Sequence, residues 1–533
     1  MSAITASPSA EPAPKIVVGR NQVLAAFAIV LALATVYQTL ALTDVTNDVV
    51  RLAIEADRYE MLYVSAAWGA TILLGIFLGL WLSPRIGGRH TLVLGLAVFA
   101  LGNLLCGAAV GLAGTIAARL VEGIGKGMSL VMTRSTLYRQ FDRSLIVAIG
   151  FYGVFAYATR HTSPVIAAYL NDRLSWRWIY WSNVPIALAA LVAVLLFIRP
   201  DRPARPNPIR LDWVAVALTI AWVVALQFAF GWYRRWGGET SSAFVETVAL
   251  CIVLPVVLAA WLLSGLSPDE HLKRLIRTRV YVLAMGVRML MLVHMGAVLT
   301  IMGRSLVGLR DYPRITAGSL MVPATLTMAA STVLMLRFRR RSLRHVFLLV
   351  GVVGGAASLW WLSSLDNFTA KEWIAAMLAC WGAFLGLFPP VFLTDEIEGL
   401  DPRDALYGGA LGTVALVILL NIIPTATGTV TTAWSDRALD SMRLNLSENR
   451  PPVEEAAARI SDHYRGQGLT RPEASSATAE MLGTFVTRES EALGYRWGFR
   501  FLSLVMLVLG LAIAVPLSRA ARGLHAAPGA GYS

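Results

Sequence analysis

The stretch SWRWIYWSNVPIALAALVAVLLFIRP, residues 175–200, shows most clearly what kind of protein this chain forms. Its aromatic side chains lie at one end, an apolar run fills 178–198, and Arg199 and Pro200 close the other end. A bilayer core takes about 20 apolar residues per helical crossing, and tryptophan and tyrosine collect at the membrane–water interface. The stretch is therefore predicted to be a transmembrane helix with an aromatic anchor.

Similar apolar runs recur along the whole chain of 533 residues. With 56% hydrophobic and 15% charged residues and a mean hydropathy of +0.62, the chain has too little polar surface to coat a soluble body. The runs are continuous rather than alternating, which favours helices over barrel strands. About fourteen spans are predicted. They lie near 22–42, 60–82, 90–111, 113–133, 145–170, 178–198, 212–231, 244–264, 280–303, 315–336, 344–364, 372–394, 405–430 and 497–517.

Charge predicts the orientation, because short cytoplasmic loops collect arginine and lysine. With both termini inside, the basic loops, including the one that begins near Arg134, alternate onto the cytoplasmic face of a bacterial inner membrane. The net charge of +13 is then explained by topology and anionic lipid, and no nucleic-acid partner is expected. One predicted cytoplasmic segment, residues 395–404, is acidic instead; acidic residues weigh little in this rule.

Two interruptions organise the chain. A proline-rich segment at 199–211 follows the sixth span, and residues 431–496 form the one long hydrophilic loop, predicted to lie outside and to contain a helix over 473–495. The predicted organisation has six parts, in chain order. It comprises a disordered cytoplasmic tail (1–21), a six-helix bundle (22–198), a cytoplasmic linker (199–211), two inserted helices (212–264), a second six-helix bundle (280–517) that includes the outer loop, and a cytoplasmic tail (518–533).

Several motifs resemble one known family. Residues 175–186 resemble the SWRWIFxxNxPI signature of the fourteen-span drug:proton antiporters of the major facilitator superfamily, the EmrB/QacA type. Leu211-Asp-Trp213, the stretch 311–318 with Pro323, and the end of the outer loop are similar to further family elements, the last of them to the EmrB-like subtype. The resemblance implies an all-α major facilitator fold of two six-helix bundles plus two inserted helices, with substrate bound between the bundles.

The resemblance also implies a function. It indicates a proton-coupled secondary transporter that exports small amphipathic molecules, either drugs or organic acids. The EmrB-like loop implies two partners, a periplasmic adaptor of the membrane-fusion type and an outer-membrane channel.

Three residues are candidates for proton coupling. Arg119 and Glu122 fall inside the fourth apolar run, where a charge is costly and is a functional candidate, and their spacing places them on one helix face. They are either a switchable pair or a static ion pair that holds the bundle. Asp44 follows the first apolar run and resembles a family aspartate; it is either a coupling residue or a solvated loop carboxylate.

Other residues are predicted to gate or to pack helices. The loop after the second span, with Gly79, Gly87, Gly88 and Arg89, resembles the GxLADxxGRR gating motif without its aspartate. Two glycines of the fourth span form a small-residue stripe that lets another helix approach, and a proline can kink the fifth span. These residues are Gly123, Gly127 and Pro164.

Four basic residues are candidates for the substrate cavity. Arg160 and His161 stand where the family has small residues, and they either tailor the cavity for an acidic substrate or form a buried structural pair. In the ninth span, Arg288 is a candidate for contacting an anionic ligand, and His294 is either a proton relay or a packed, hydrogen-bonded residue. The set leans toward amphipathic anions.

The sequence also argues against other classes. It contains neither an enzyme constellation such as HExxH or GxSxG nor a nucleotide-binding P-loop, so no enzyme, cofactor or nucleotide-driven pump is expected. Its three cysteines suggest neither a disulfide nor a metal site. The alternative left open is a transporter-like protein without proton coupling that acts as a facilitator, a lipid flippase or a sensor.

Overall fold

The computed structural model describes most of the chain. The described residues are 20–140, 159, 163, 165–200, 211–233, 235–237, 241–264, 267–268, 270–336, 341–396, 400–447 and 451–523. Every regular element in these ranges is helical, as the continuous apolar runs predict. Arg160, His161 and Pro164 lie outside the described residues, as do residues 1–19 of the predicted N-terminal tail.

The helices of the first half and of the inserted pair follow in chain order. They are α1 (Arg20–Ala53), α2 (Met61–Ile86), α3 (Gly88–Ala108), α4 (Gly111–Gln140), α5 (165–173), α6 (Trp178–Trp181), α7 (Asn183–Phe197), α8 (Trp213–Gly231) and α9 (Ser242–Leu263).

The second half contains α10 (Glu270–Arg277), α11 (Arg279–Arg304) with a π-helical turn (Ser305–Leu309), α12 (Arg314–Ser319), α13 (Val322–Leu336), α14 (Arg341–Leu362), α15 (Lys371–Leu385), α16 (Pro389–Asp395), α17 (Pro402–Ser447), α18 (Pro451–Gly466) and α19 (Arg471–Gly523).

Eleven helical segments of the described chain are long and apolar enough to cross a membrane. Two more predicted spans coincide with helices: α1, with a shorter apolar part at Val23–Gln38, and α4, whose apolar run is interrupted by buried charges. The predicted fifth span, 145–170, lies mostly outside the described residues. The prediction of an all-helical membrane protein with about fourteen spans is confirmed in this form.

Three helices extend beyond the predicted spans. Asp44 lies within α1, because the helix continues past the apolar run to Ala53. The segment 431–496, predicted to lie outside, is mostly helical: α17 continues to Ser447, α18 fills 451–466, and α19 begins at Arg471. The same helix α19 runs to Gly523, into the predicted C-terminal tail. The predicted helix over 473–495 is confirmed as part of α19.

The helices pack as two bundles with the inserted pair beside them. In the first half α4 packs against α2 and α3, and α7 against α1 and α3; in the second half α17 and α19 pack against α11, and α14 against α15 and α19. Helix α8 lies against α2 of one bundle and α17 of the other. No residue of α9 is buried, which suits a helix that faces lipid. Helix α17 also contacts α2 and α4, so it lines the boundary between the halves.

Candidate functional site

A buried ion pair occupies the middle of α4. Arg119 Nη1 donates to Glu122 Oε2 at 2.6 Å, and the side chains are 5% and 0% exposed. Arg119 Nη2 also donates to the hydroxyl of Tyr180, from α6, at 2.9 Å. The predicted interaction of Arg119 with Glu122 on one helix face is confirmed. Helix α6 therefore also binds the Arg119 guanidinium, through Tyr180.

An aromatic ring binds the cations of this cluster. The Arg119 guanidinium lies 5.1 Å from the ring centroid of Trp68 in α2, and Lys126 Nζ lies 4.4 Å from the same ring. Such contacts gain strength when the cation is desolvated, as both are here. Arg119, Glu122, Lys126, Trp68 and Tyr180 are called the α4 cluster below.

The carboxylate of Glu122 is only partly hydrogen-bonded by the described residues. No hydrogen-bond donor among the described residues reaches its Oε1, and its Oε2 also lies 3.8 Å from Cys106 Sγ. The ion pair with Arg119 thus leaves one oxygen of the Glu122 carboxylate buried without a partner among the described residues, an arrangement that is costly in a low-dielectric interior.

Small residues allow the α4 cluster to pack closely. A Cβ on Gly123 would lie 2.1 Å from Thr71 Oγ1, and one on Gly127 would lie 2.0 Å from the carbonyl oxygen of Ile72. Both distances are below any real contact, so α2 can approach α4 this closely only because these positions lack a side chain. The predicted small-residue stripe on α4 is confirmed.

The coupling candidate Asp44 and the cavity candidate His294 lie on other helices than the α4 cluster. Asp44 lies in α1, which packs against α4, but its side chain lies outside the described part of the chain. His294 is buried in α11, with Nδ1 2.7 Å from the carbonyl oxygen of Leu290 and Nε2 2.9 Å from that of Leu502. Both ring nitrogens of His294 thus face backbone carbonyls, which ties α11 to α19.

Arg288 belongs to a second buried ion cluster. Its Nε lies 2.6 Å from Glu396 Oε1, and its Nη2 donates to Glu396 Oε2 at 2.7 Å. Arg134 of α4 donates to the same Glu396 Oε2 at 2.8 Å and to the carbonyl oxygen of Gly409 at 2.9 Å. The three side chains are at most 4% exposed. Arg288 is therefore held by a carboxylate of its own half, and it does not join His294 in one cluster.

The gating-motif residues form a tight turn within the first half. Gly87 is the single residue between α2 and α3 and has φ +89, a conformation that glycine adopts without strain. The turn expected from Gly87 and Gly88 is confirmed. A Cβ on Gly79 would lie 2.8 Å from Val131 Cγ1, so Gly79 serves the packing of α2 on α4. Arg89 donates to the carbonyl oxygen of Leu195, which also lies in the first half.

Sequence reasoning missed three charged residues of these clusters. Lys126 is four residues after Glu122 in the same apolar run, and that spacing is a signal that was available. The sequence predicts Arg134 in a basic cytoplasmic loop and Glu396 in an acidic one, but neither side chain is solvated. The structure places Arg134 inside α4 and Glu396 at the C-cap of α16, both buried. No metal-binding group of His, Cys, Asp or Glu occurs among the described residues.

A multi-pass membrane protein of two helical bundles, with buried charged clusters within and between them, is built as a small-molecule transporter. The sequence matches the Major Facilitator Superfamily model over residues 22–419, and the chain belongs to that superfamily. Its substrates are accordingly small molecules, and lipid surrounds it.

Individual proteins resemble the chain over most of its length. It is 22% identical over 463 residues to the multidrug export protein EmrB of Escherichia coli strain K12, covering 85% of this chain and 88% of that one. It is 21% identical over 348 residues to multidrug resistance protein 3 of Bacillus subtilis, covering 64% and 66%. The crystal structure of the human organic anion transporter MFSD10 (TETRAN) superposes with a TM-score of 0.55 at 13% identity, covering 92% of this chain and 99% of that one. The likeness to EmrB agrees with the predicted EmrB-like subtype.

Proposed function

We propose that the protein is a proton-driven exporter of small amphipathic molecules in a bacterial inner membrane, with both termini in the cytoplasm. The similarity to two multidrug proteins supports the export of drug-like molecules. The observation that carries proton coupling is the buried Arg119–Glu122 pair, whose carboxylate has an oxygen without a donor among the described residues. An intramembrane carboxylate of this kind is suited to take up a proton on one side and give it up on the other.

In the proposed cycle, Glu122 exchanges its ion pair with Arg119 for a proton. With Glu122 charged, Arg119 is held at 2.6 Å, in contact with Tyr180 and Trp68. Export against proton entry requires the proton and the substrate to bind in competition, so the charged Glu122 is the state that takes up substrate from the cytoplasm. A proton that reaches Glu122 from the outer side breaks the ion pair with Arg119 and displaces the substrate, and loss of that proton to the cytoplasm restores the pair. A proton moving through about 100 mV supplies about 2.3 kcal/mol, which biases the direction of this exchange.

The experiment that tests proton coupling compares two kinds of flux in proteoliposomes. Glu122→Gln keeps the shape of the side chain but cannot exchange a proton. It is expected to abolish transport driven by a pH gradient and to retain substrate exchange without a gradient. Glu270→Gln, an exposed carboxylate of α10, is the matched control and should retain both activities. Normal pH-driven transport by Glu122→Gln would show that the proton is carried elsewhere.

One observation favours the second candidate, an uncoupled facilitator, flippase or sensor. The gating motif lacks its aspartate, and its arginines contact their own half: Arg89 contacts Leu195, and Arg85 contacts Trp81. A wild-type protein whose substrate flux is unchanged by an uncoupler would favour this candidate over the antiporter. A panel of cationic drugs and weak acids in the same assay would identify the substrate class.

The outer helices are the proposed docking element for a periplasmic adaptor and, through it, an outer-membrane channel. Helix α18 packs on α19, and Tyr464 contacts Met481 at 3.7 Å, so the element has its own internal contacts. Replacing residues 448–470 by a Gly/Ser linker of equal length removes α18 without shortening the chain. Loss of adaptor co-purification, with transport in proteoliposomes retained, is the expected result. Unchanged co-purification would exclude α18 from the interface.

A further inference from the structure

The acidic segment that departs from the positive-inside rule is bound by basic side chains from several elements. Asp395 Oδ2 lies 2.9 Å from His345 Nε2 of α14, and Asp404 Oδ1 lies 2.6 Å from His271 Nδ1 of α10. Glu396 lies between them in sequence and binds Arg288 of α11 and Arg134 of α4. Of these contacts, the one to Arg134 reaches the first half of the molecule.

Glycines of α17 form the surface on which the two guanidinium groups lie. A Cβ on Gly412 would lie 2.6 Å from Arg288 Nη1 and 3.0 Å from Arg134 Nη1. A Cβ on Gly409 would lie at least 3.6 Å from Arg134, an ordinary contact. The Phe392 ring covers Arg288 from another side, with its centroid 4.8 Å from the guanidinium carbon. The site is thus shaped closely around two arginines and one carboxylate.

We propose that the Arg134–Glu396–Arg288 triad is the latch that closes the transporter on its predicted cytoplasmic side. Arg134 moves with the first bundle, whereas Glu396 and Arg288 move with the second, so separation of the bundles at this end must break the Arg134–Glu396 contact. Arg288 positions the carboxylate in both states. The latch takes the place of the gating-motif aspartate that the loop between α2 and α3 lacks.

The energetics of buried ion pairs support a switching role. Well-packed apolar residues stabilise a core as well as a buried arginine–carboxylate triad does, and removing one partner of such a triad is strongly destabilising. A triad at a boundary that must open therefore contributes mainly to the difference between closed and open states. This inference requires alternating access, but neither proton coupling nor export.

The latch is tested by measuring the distance between the two halves. Arg199 and Arg277 are exposed and lie near the latch end of α7 and on α10, respectively. Spin labels on Arg199→Cys and Arg277→Cys, in a background with Cys106, Cys251 and Cys380 replaced by serine, report this distance by pulsed electron paramagnetic resonance in proteoliposomes. Glu396→Gln is expected to raise the ratio of open to closed populations by about 100-fold, the effect of losing one partner of a buried pair. Glu372→Gln, an exposed carboxylate of α15, should leave the ratio unchanged.

A pair of glycine variants tests the same latch with every charge in place. Gly412→Ala inserts a methyl group against Arg288 and should raise the open population by about tenfold, as a small-to-large change in a packed site does. Gly409→Ala meets only ordinary contacts and is its matched control. If Glu396→Gln does not fold, Gly412→Ala decides the result. A wild-type distance distribution in the folded variants would overturn the latch, whatever the outcome of the transport assays.

Discussion

A double-variant cycle tests whether the Arg119–Glu122 pair is a switch or a static ion pair. The geometry of the pair sets the expected changes in the free energy of unfolding: Arg119 Nη1 and Glu122 Oε2 are 2.6 Å apart, and both side chains are buried. Glu122→Gln leaves the guanidinium without its anion and should lower the free energy of unfolding by about 3 kcal/mol, the lower end of the range for broken buried pairs. The lower end applies because the Tyr180 and Trp68 contacts remain.

The other single variant and the double variant should behave differently. Arg119→Met leaves a buried carboxylate without its partner and should also lower the free energy of unfolding by about 3 kcal/mol. Arg119→Met with Glu122→Met removes both charges and should recover most of the lost stability, as apolar replacements of buried pairs do. The free energy of unfolding in mixed micelles, measured for all four proteins, gives the coupling energy.

Transport by the double variant separates the two roles. A static tie predicts that recovered stability brings recovered transport, whereas a switch predicts a stable protein without pH-driven transport. Arg459→Met, a change of an exposed arginine on α18, controls for the handling of the variants and should retain both properties. A double variant that transports at the wild-type rate would remove Arg119 and Glu122 from the mechanism.

Three further predictions follow from single contacts. Gly127→Ala should destabilise the first bundle by about 1–3 kcal/mol, because its methyl group would lie 2.0 Å from the Ile72 carbonyl oxygen and α2 must move away; Gly114→Ala on the same helix meets nothing within 4 Å and should be neutral in the same thermal melt. Asp212 caps α8 by accepting a hydrogen bond from the Ala215 amide at 3.0 Å, so Asp212→Ala should lower the free energy of unfolding by about 1 kcal/mol. Trp261→Phe removes the 2.6 Å hydrogen bond that Trp261 of α9 donates to Asp212, and it should loosen the packing of α9 on α8. Burial acts to raise the pKa of Asp212, but hydrogen bonds from Ala215, Ser267 and Trp261 outweigh it and lower that pKa. The stability that the charge of Asp212 contributes should therefore be constant above about pH 4 and be lost as the pH falls further. Thermal melts of Asp212→Asn should not show this loss.

The sequence was sufficient for the helices that cross the membrane, because a bilayer demands long apolar runs. It failed where a helix continues past its apolar run. Helix α17 extends from the predicted end of its span, near 430, to Ser447. Polar residues there give no hydropathy signal, and no proline follows Pro424 until Pro451 to stop the helix. Helix α1 likewise continues past its apolar part, so the hydropathy pattern left open whether Asp44 lies in that helix or in a loop.

The candidate site was predictable where its partners are close in sequence. Arg119 and Glu122 are three residues apart on one helix, so their spacing predicts the contact. Arg134 and Glu396 are 262 residues apart, and their contact depends on how the two bundles pack. Without that packing, a basic residue and an acidic residue at span ends both suggest solvated loops. The exception to the positive-inside rule was the available signal that residues 395–404 have another role.

The two buried carboxylates differ in what a movement of the bundles does to them. Glu122 pairs within its own helix, so a rigid movement leaves that contact intact and only chemistry, such as protonation, changes it. Glu396 pairs across the two halves, so movement alone changes it. Helix α4 connects the two, because it carries Arg119 and Glu122 and, 12 residues or about 18 Å beyond Glu122, Arg134. Under the two proposals made above, a change of charge at Glu122 that shifts α4 against α2 would also shift Arg134 against Glu396, and protonation would thereby be coupled to the proposed latch.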